Sequence, residues 1–319
     1  ALARLDGSRL RGLGRLARPL RRRRGEAGFK EVSWQEVWED IGPRWRALAP
    51  ARTGMFVTSR GITNEVYYTA QKVMRFLGSN NVDNSARICH SPSTAGLKST
   101  VGVAATTCSY TDWFETDLIV FFGSNPANDQ PVAMKYLVEA RKRGVRVLCV
   151  NTYREPGMDR YWVPSNPLSA VFGTVMTDRF YLVSVGGDLA FLNAVHKVLL
   201  NRGAVAAEFI TAAVTGFEAF KTALAAQSLD ELVRVSGATL ADVESFADEV
   251  ARAPKGILVW SMGITQHVQG GDTVRAIANT AILREWVGRP GTGLMPIRGH
   301  SGVQGGAEMG AYATAFPGG

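Results

Sequence analysis

The chain has 319 residues, 46% of them apolar and 20% charged, an ordinary make-up for a globular protein long enough to hold two α/β domains. Its net charge of +8 belongs entirely to residues 1–30, which carry ten Lys/Arg against Asp6 and Glu26; the other 289 residues balance at 26 against 26, so no face of the fold is marked out for nucleic acid. The longest strongly apolar run, Leu118–Phe122, is far too short to cross a bilayer, and without a signal-peptide core nothing argues for export, so a cytoplasmic location is expected.

The first 30 residues read as a basic arm, solvated or packed against a partner. Contact with the phosphates of a bound nucleotide cofactor, or with nucleic acid, are the alternatives. No apolar stretch follows Arg24, which argues against a twin-arginine signal. Trp34–Leu48 has helical spacing with Ser33 as its N-cap, and Gly42-Pro43 is expected to interrupt it. Residues 54–59 read as a short strand, and Asn64–Leu77 as an amphipathic helix ended by Gly78. The adjacent Cys89 and His90 come next, followed from Ser93 by what reads as the first turns of a helix. A soft thiolate donor beside a titratable imidazole suits a metal-bound redox centre that must also move a proton.

Asp117–Phe122 is a continuous apolar strand, as expected in a parallel sheet covered on both faces. A helix from about Asp129 to Arg143 and the strand Val145–Val150 complete a βαβ unit, in which Cys149 is a buried strand thiol. Phe180–Val185 reads as a strand, Leu189–Leu200 as a helix, and residues 203–252 as helical throughout, with Thr239 a further N-cap. Strand Gly256–Ser261 and a helix over Thr273–Val287 follow. Ligands of open α/β sheets sit beyond the carboxyl ends of the strands, and four Gly-rich turns recur there: Gly123–Pro126, Gly186–Asp188, Gly263–Gln266 and Gly299–Gly306. Four such turns favour a large nucleotide-like ligand, although none fits GxGxxG or a P-loop. Three cysteines with no CxxC assemble neither a zinc ribbon nor an iron–sulfur cluster from this chain alone.

The segments NEVYYTAQKVMRFLGSNNVDNSARICHSPSTAGL, FFGSNPANDQP, WSMGITQHVQGGDTVR and RGHSGVQGGAEMG closely resemble the catalytic subunit of molybdopterin-dependent formate dehydrogenases, in the dimethyl sulfoxide reductase superfamily. The resemblance runs from about Phe29 to the last residue. It implies two doubly wound, Rossmann-like α/β domains with mostly parallel sheets. Residues 31–84 with 278–319 would form a first, discontinuous domain, and 85–277 a second that binds the cofactor. It also implies a bis-molybdopterin guanine dinucleotide holding molybdenum or tungsten, with Cys89 as the protein ligand, its sulfur kept ionised by a helix N-terminus. His90 would take up or relay a proton, and Arg275 would fix formate or a similar small anion through its guanidinium fork.

Gly123, Ser124, Asn125 and Pro126 resemble the loop at the nucleotide end, and Asp188 is placed to accept hydrogen bonds from a guanine edge. Gly263, Thr265, Gln266, Arg298, Gly299, His300, Val303 and Gln304 resemble cofactor-lining segments. His196 reads as a packed or surface residue. Where many relatives have Asp-Pro-Arg after the second strand, this chain has Asn151-Thr152-Tyr153-Arg154, and an uncharged Asn151 cannot make the same charge-assisted bonds to guanine. His267 and the Asn151–Pro156 stretch lean towards a branch of formate dehydrogenase-like oxidoreductases whose substrate is less well defined. The chain reads as the central piece of a longer polypeptide, in which a [4Fe–4S] cluster and an electron-transfer partner are expected. The competing readings are another molybdopterin oxidoreductase with a different small substrate, and a non-catalytic electron-transfer or scaffold subunit.

Overall fold

The computed structural model describes residues 6–164, 167–300 and 302–318, so residues 1–5 of the arm and Ser301 of the Gly-rich run lie outside the described residues. Five parallel strands form its centre: β3 (Leu118–Phe122), β4 (Arg146–Asn151), β5 (Arg179–Leu182), β6 (Gly256–Trp260) and β7 (Gly293–Pro296), in the spatial order β7-β6-β3-β4-β5. Register is continuous across the sheet, Val120 lying opposite Leu258 on one side and Leu148 on the other. Every residue of β3 and β6 is buried, which is why LIVFF and GILVW read as unbroken apolar runs rather than alternating ones.

Alternate side chains of β3 enter two separate cores. Leu118, Val120 and Phe122 pack with Phe191, Val195, Phe246, Val274 and Ile277 from helices on one face. Ile119 and Phe121 pack with Trp113, Met134 and Leu137 on the other. Cys149 is in this second core, as expected of a buried strand thiol. Helices α3 (Ser91–Thr100), α5 (Asp188–Asn201), α9 (Leu240–Arg252) and α10 (Gly270–Leu283) cover the first face, and α4 (Ala133–Lys142) contributes to the second.

A smaller unit pairs strands β1 (Met55–Val57) and β2 (Val82–Asn84) in parallel beside α2 (Asn64–Phe76). Tyr67, Met74, Val82 and Ala311 form its core. The C-terminal segment is sewn onto it: Arg75 donates to the carbonyls of Tyr312 and Ala315 at 2.9 and 2.8 Å, and Asn84 donates to that of Ala311 at 2.9 Å. The domain boundary expected at 277/278 falls inside α10, and β7 pairs with β6 in the central sheet.

Two local expectations are corrected. Helix α1 (Trp34–Arg46) starts on a full capping box between Ser33 and Glu36 but runs through Gly42-Pro43. Pro43 forfeits one bond to the carbonyl of Glu39, and both residues are exposed, so water can satisfy that carbonyl. Residues 203–252 are not one helical stretch but four helices: α6 (Ala207–Ala213), α7 (Phe217–Ala225), α8 (Leu229–Ser236) and α9. Gly216 and Gly237, both left-handed, and the N-caps Ser228 and Thr239 separate the four. Among the described residues no helix is long and apolar enough to cross a membrane.

Candidate functional site

The loops that leave the carboxyl ends of β3, β6 and β7 meet one another, and the chemistry gathers on them. Gly123, at φ +49°, sits directly against Gly263, whose N–H donates to the Gly123 carbonyl at 3.1 Å. A Cβ on Gly263 would lie 2.5 Å from that oxygen, so no side chain fits and the two loops touch backbone to backbone. The loop after β7 joins them, with Gln130 and Arg60 flanking Gly299.

Cys89 and His90 are delivered to this edge by a 3₁₀ turn, Ser85–Ile88, that Asn84 caps, and by α3, which starts on His90 as its N-cap. The turn is tied to the β6 loop: the Thr265 hydroxyl donates to the Cys89 carbonyl, and the Gln266 amide donates to that of Ile88 at 3.2 Å. Cys89 is 4% exposed and His90 1%. His90 Nδ1 lies 3.1 Å from Ser93 Oγ, which accepts the indole N–H of Trp260 at 2.9 Å, so the end of β6 fixes the ring through one hydroxyl. Nε2 has no hydrogen-bond partner. Burial, with the charges of Arg298 and His300, lowers the imidazole to about 4, slightly opposed by the nearby Ile297 carbonyl. Burial also raises the Cys89 thiol, with Arg298 pulling the other way.

The guanidinium of this site is Arg298. Its charge acts on both Cys89 and His90, and it lines, with His90, Ser91, Gln304, Glu308 and Tyr312, a cavity of about 180 Å³. Arg275 is elsewhere. Its Nε donates to Ser99 at 3.0 Å and its Nη1 to Asp272 at 2.5 Å, and the side chain is 44% exposed. Ser99 is eight residues beyond Ser91 on α3, which at 1.5 Å per residue puts it roughly 12 Å down that helix. A larger cavity, about 710 Å³, lies at the far ends of α3 and α10 and carries no titratable side chain among the described residues.

The remaining expected residues divide into two groups. Ser124 Oγ, Asn125 Oδ1 and His300 Nδ1 are buried without partners, as are Arg298 Nε and both amide atoms of Gln130, a residue that sequence reasoning passed over although it stands in the FFGSNPANDQP run. Asp188, at the start of α5, is 6% exposed, and burial pushes its carboxyl up to about 6. Asn151 ends β4 and turns its side-chain oxygen back onto the Thr152 N–H, while Asn125 is held instead by Glu155, at 2.8 Å. Pro126 and Val303 are buried at helix starts, and the Gln304 amide is engaged on both sides, by Arg298 and Glu308. His196 is a core residue, its Nε2 2.8 Å from Thr280 Oγ1.

The profile of the molybdopterin oxidoreductase family matches residues 15–318, and the chain belongs to that family. It is 31% identical over 313 residues to Protein YdeP of Escherichia coli strain K12, covering 94% of this chain and 41% of that protein. To formate dehydrogenase H of the same organism it is 29% identical over 309 residues, covering 95% and 41%. Acetylene hydratase from Pelobacter acetylenicus superposes with a TM-score of 0.66 at 19% identity, over 88% of this chain and 37% of that one, which is a likeness of fold. The chain therefore spans about two fifths of the length of these relatives.

The family implies a molybdopterin cofactor, and the residues present fit one. Buried polar atoms normally find partners, and seven of those that do not are on the loops and turn gathered at this edge: His90, Ser124, Asn125, Gln130 (twice), Arg298 and His300. A ligand rich in donors and acceptors would satisfy them, and the thiol of Cys89 is a suitable soft donor for its metal.

Proposed function

We propose that this chain is the cofactor-holding part of an oxidoreductase that converts formate to carbon dioxide, or the reverse, at a bis-molybdopterin guanine dinucleotide centre containing molybdenum or tungsten. The observation that carries the reading is that an imidazole and a guanidinium, His90 and Arg298, line one small cavity at the carboxyl edge of the sheet, with the buried thiol of Cys89 the chain neighbour of His90 and within electrostatic reach of Arg298. When bound, the cofactor supplies the two-electron redox chemistry. Cys89 would ligate its metal, and Ser124, Asn125, Gln130, Asp188 and His300 would hold its polar periphery.

Arg298 binds the carboxylate of the substrate. Its unpartnered Nε sits on the edge of the guanidinium suited to two parallel hydrogen bonds, and its charge draws anions into the cavity. His90 offers Nε2 as the nearest titratable nitrogen to hold or pass on a proton, while Ser93 and Trp260 fix the ring. His90 is buried and Arg298 half-buried, which limits the access of water to the reacting atoms. A [4Fe–4S] cluster and an electron-transfer partner, outside this chain's own residues in a longer cytoplasmic protein, would carry the electrons away.

The test is formate-dependent dye reduction by the purified, metal-loaded full-length protein. Cys89→Ala is expected to abolish it, and Arg298→Ala to raise KM for formate at least a hundredfold. Turnover undiminished in either variant refutes the assignment. Turnover only of other substrates in a small-molecule panel makes the protein a different oxidoreductase of the family. Purified protein with neither metal nor turnover points to the scaffold reading.

A further inference from the structure

We propose that Glu308 and Gln304 are positioning residues that set which edge of the Arg298 guanidinium faces the incoming ligand, a small planar carboxylate or oxyanion. The inference rests on the reading of Arg298 given above and deepens it. Gln304 and Glu308 are four residues apart on α11 (Val303–Glu308) and so share one face of that turn. The Gln304 Nε2 donates to Glu308 Oε1 at 3.0 Å, and Arg298 Nη1 donates to Gln304 Oε1 at 2.6 Å. A carboxylate can only accept, so Glu308 claims the NH₂ side of the amide and turns its oxygen towards Arg298. With the amide reversed, two donors would face each other. The orientation of the amide is therefore fixed from both ends, by a carboxylate that only accepts and a guanidinium that only donates.

The consequence falls on Arg298. One of its nitrogens, Nη1, is anchored, while among the described residues the buried Nε has no hydrogen-bond partner and no bond is formed by Nη2, which leaves that edge free. No carboxylate touches the guanidinium directly, because the amide stands between it and Glu308. Its positive charge is therefore not cancelled at contact. Arg275 shows the opposite arrangement, its guanidinium pressed against Asp272. An arginine built to receive an anion needs to be held without being neutralised, and an amide relay does that where a direct ion pair would not. Both relay residues also line the cavity that Arg298 and His90 share, so the device is at the ligand's own entrance.

The experiment uses the metal-loaded full-length protein with formate as probe. In Glu308→Gln the amide at 308 can donate as well as accept, so it no longer dictates the orientation of Gln304. KM for formate is expected to rise about tenfold, kcat to fall less, and metal content to stay at the wild-type level; Glu308→Asp should recover most of the loss. Gln304→Glu places a carboxylate on Arg298 and should raise KM further. Independently of turnover, labelling of Arg298 by phenylglyoxal, followed by peptide mass spectrometry, should speed up severalfold in Glu308→Gln as Nη1 is released. If the wild-type protein does not turn over formate, the functional reading fails and the labelling rate alone judges the relay. An unchanged KM and labelling rate at equal metal content, or a KM change found only in samples that have lost metal, overturns the proposal.

Discussion

Replacing Asp188 with Asn is expected to stabilise the cofactor-free protein, and to do so more at pH 8 than at pH 5. Burial raises this carboxyl from 3.8 to about 6, against weaker opposing pulls from its own backbone N–H and from His267. Between those two values the folded chain holds a proton that the unfolded chain has released. Stability therefore falls as pH rises through the window and stays lower above it. At 1.36 kcal/mol per pH unit, the full penalty above pH 6 is roughly 3 kcal/mol, and about half of it is present at pH 5. Asn removes the charge while introducing an NH₂ group that itself needs a partner, so a net gain of roughly 1–3 kcal/mol at pH 8 is expected. Guanidinium titrations of both proteins at pH 5 and pH 8 measure it. A difference that does not change between the two pH values, or a variant less stable than wild type at pH 8, refutes the reasoning. If the gain is found, an ionised Asp188 is a cost to the empty fold, and under the function proposed above it would be offset by accepting two N–H donors from the guanine edge of the cofactor. The same variant should then release nucleotide more readily from the loaded protein.

Arg275→Ala should leave KM for formate unchanged and cost less than about 1 kcal/mol in a denaturant titration, because its ion pair with Asp272 is exposed. Gly123→Ala should be severe, roughly 3 kcal/mol or more: the new Cβ would lie 2.8–2.9 Å from the Gly263–Ile264 backbone at a positive φ, and a soluble, cooperatively unfolding variant of near wild-type Tm would contradict this. Trp260→Phe removes the donor to Ser93 and shrinks a fully buried ring, and should lower stability by roughly 2 kcal/mol by the same titration while loosening the hold on His90.

The central sheet was legible because its signal is local. A strand such as β3 that is buried on both faces must be apolar at every position, and a short run of that kind bounded by Asp117 and Gly123 has few other readings. The Ser33 and Thr239 caps were legible for the same reason, since a cap is satisfied within three residues. The domain boundary was not. The helix read over Thr273–Val287 already crosses 277, so the boundary had no support in the local spacing, and the placement of β7 depends on pairing with β6, more than thirty residues earlier. The breaks within 203–252 were marked by Gly216, Ser228 and Gly237 but masked by an Ala-rich composition that favours helix on either side.

The site shows the same limit more sharply. Sequence placed Cys89 and His90 together because they are covalent neighbours, and it named loops that each follow a strand. Between two arginines it took Arg275 for the substrate and left Arg298 among the cofactor-lining residues. Arg275 and Arg298 both stand in Gly-containing segments that resemble the family, and their side chains are chemically identical. What separates them is the partner each meets in space: Asp272 one turn away on the same exposed helix for Arg275, and buried groups 208 to 209 residues earlier in the chain, His90 and Cys89, for Arg298. A charge pressed against an adjacent carboxylate is already satisfied. A half-buried guanidinium with an unpartnered nitrogen, next to a thiol, is not, and that unmet demand is what distinguishes a group kept for a ligand from one kept for the fold.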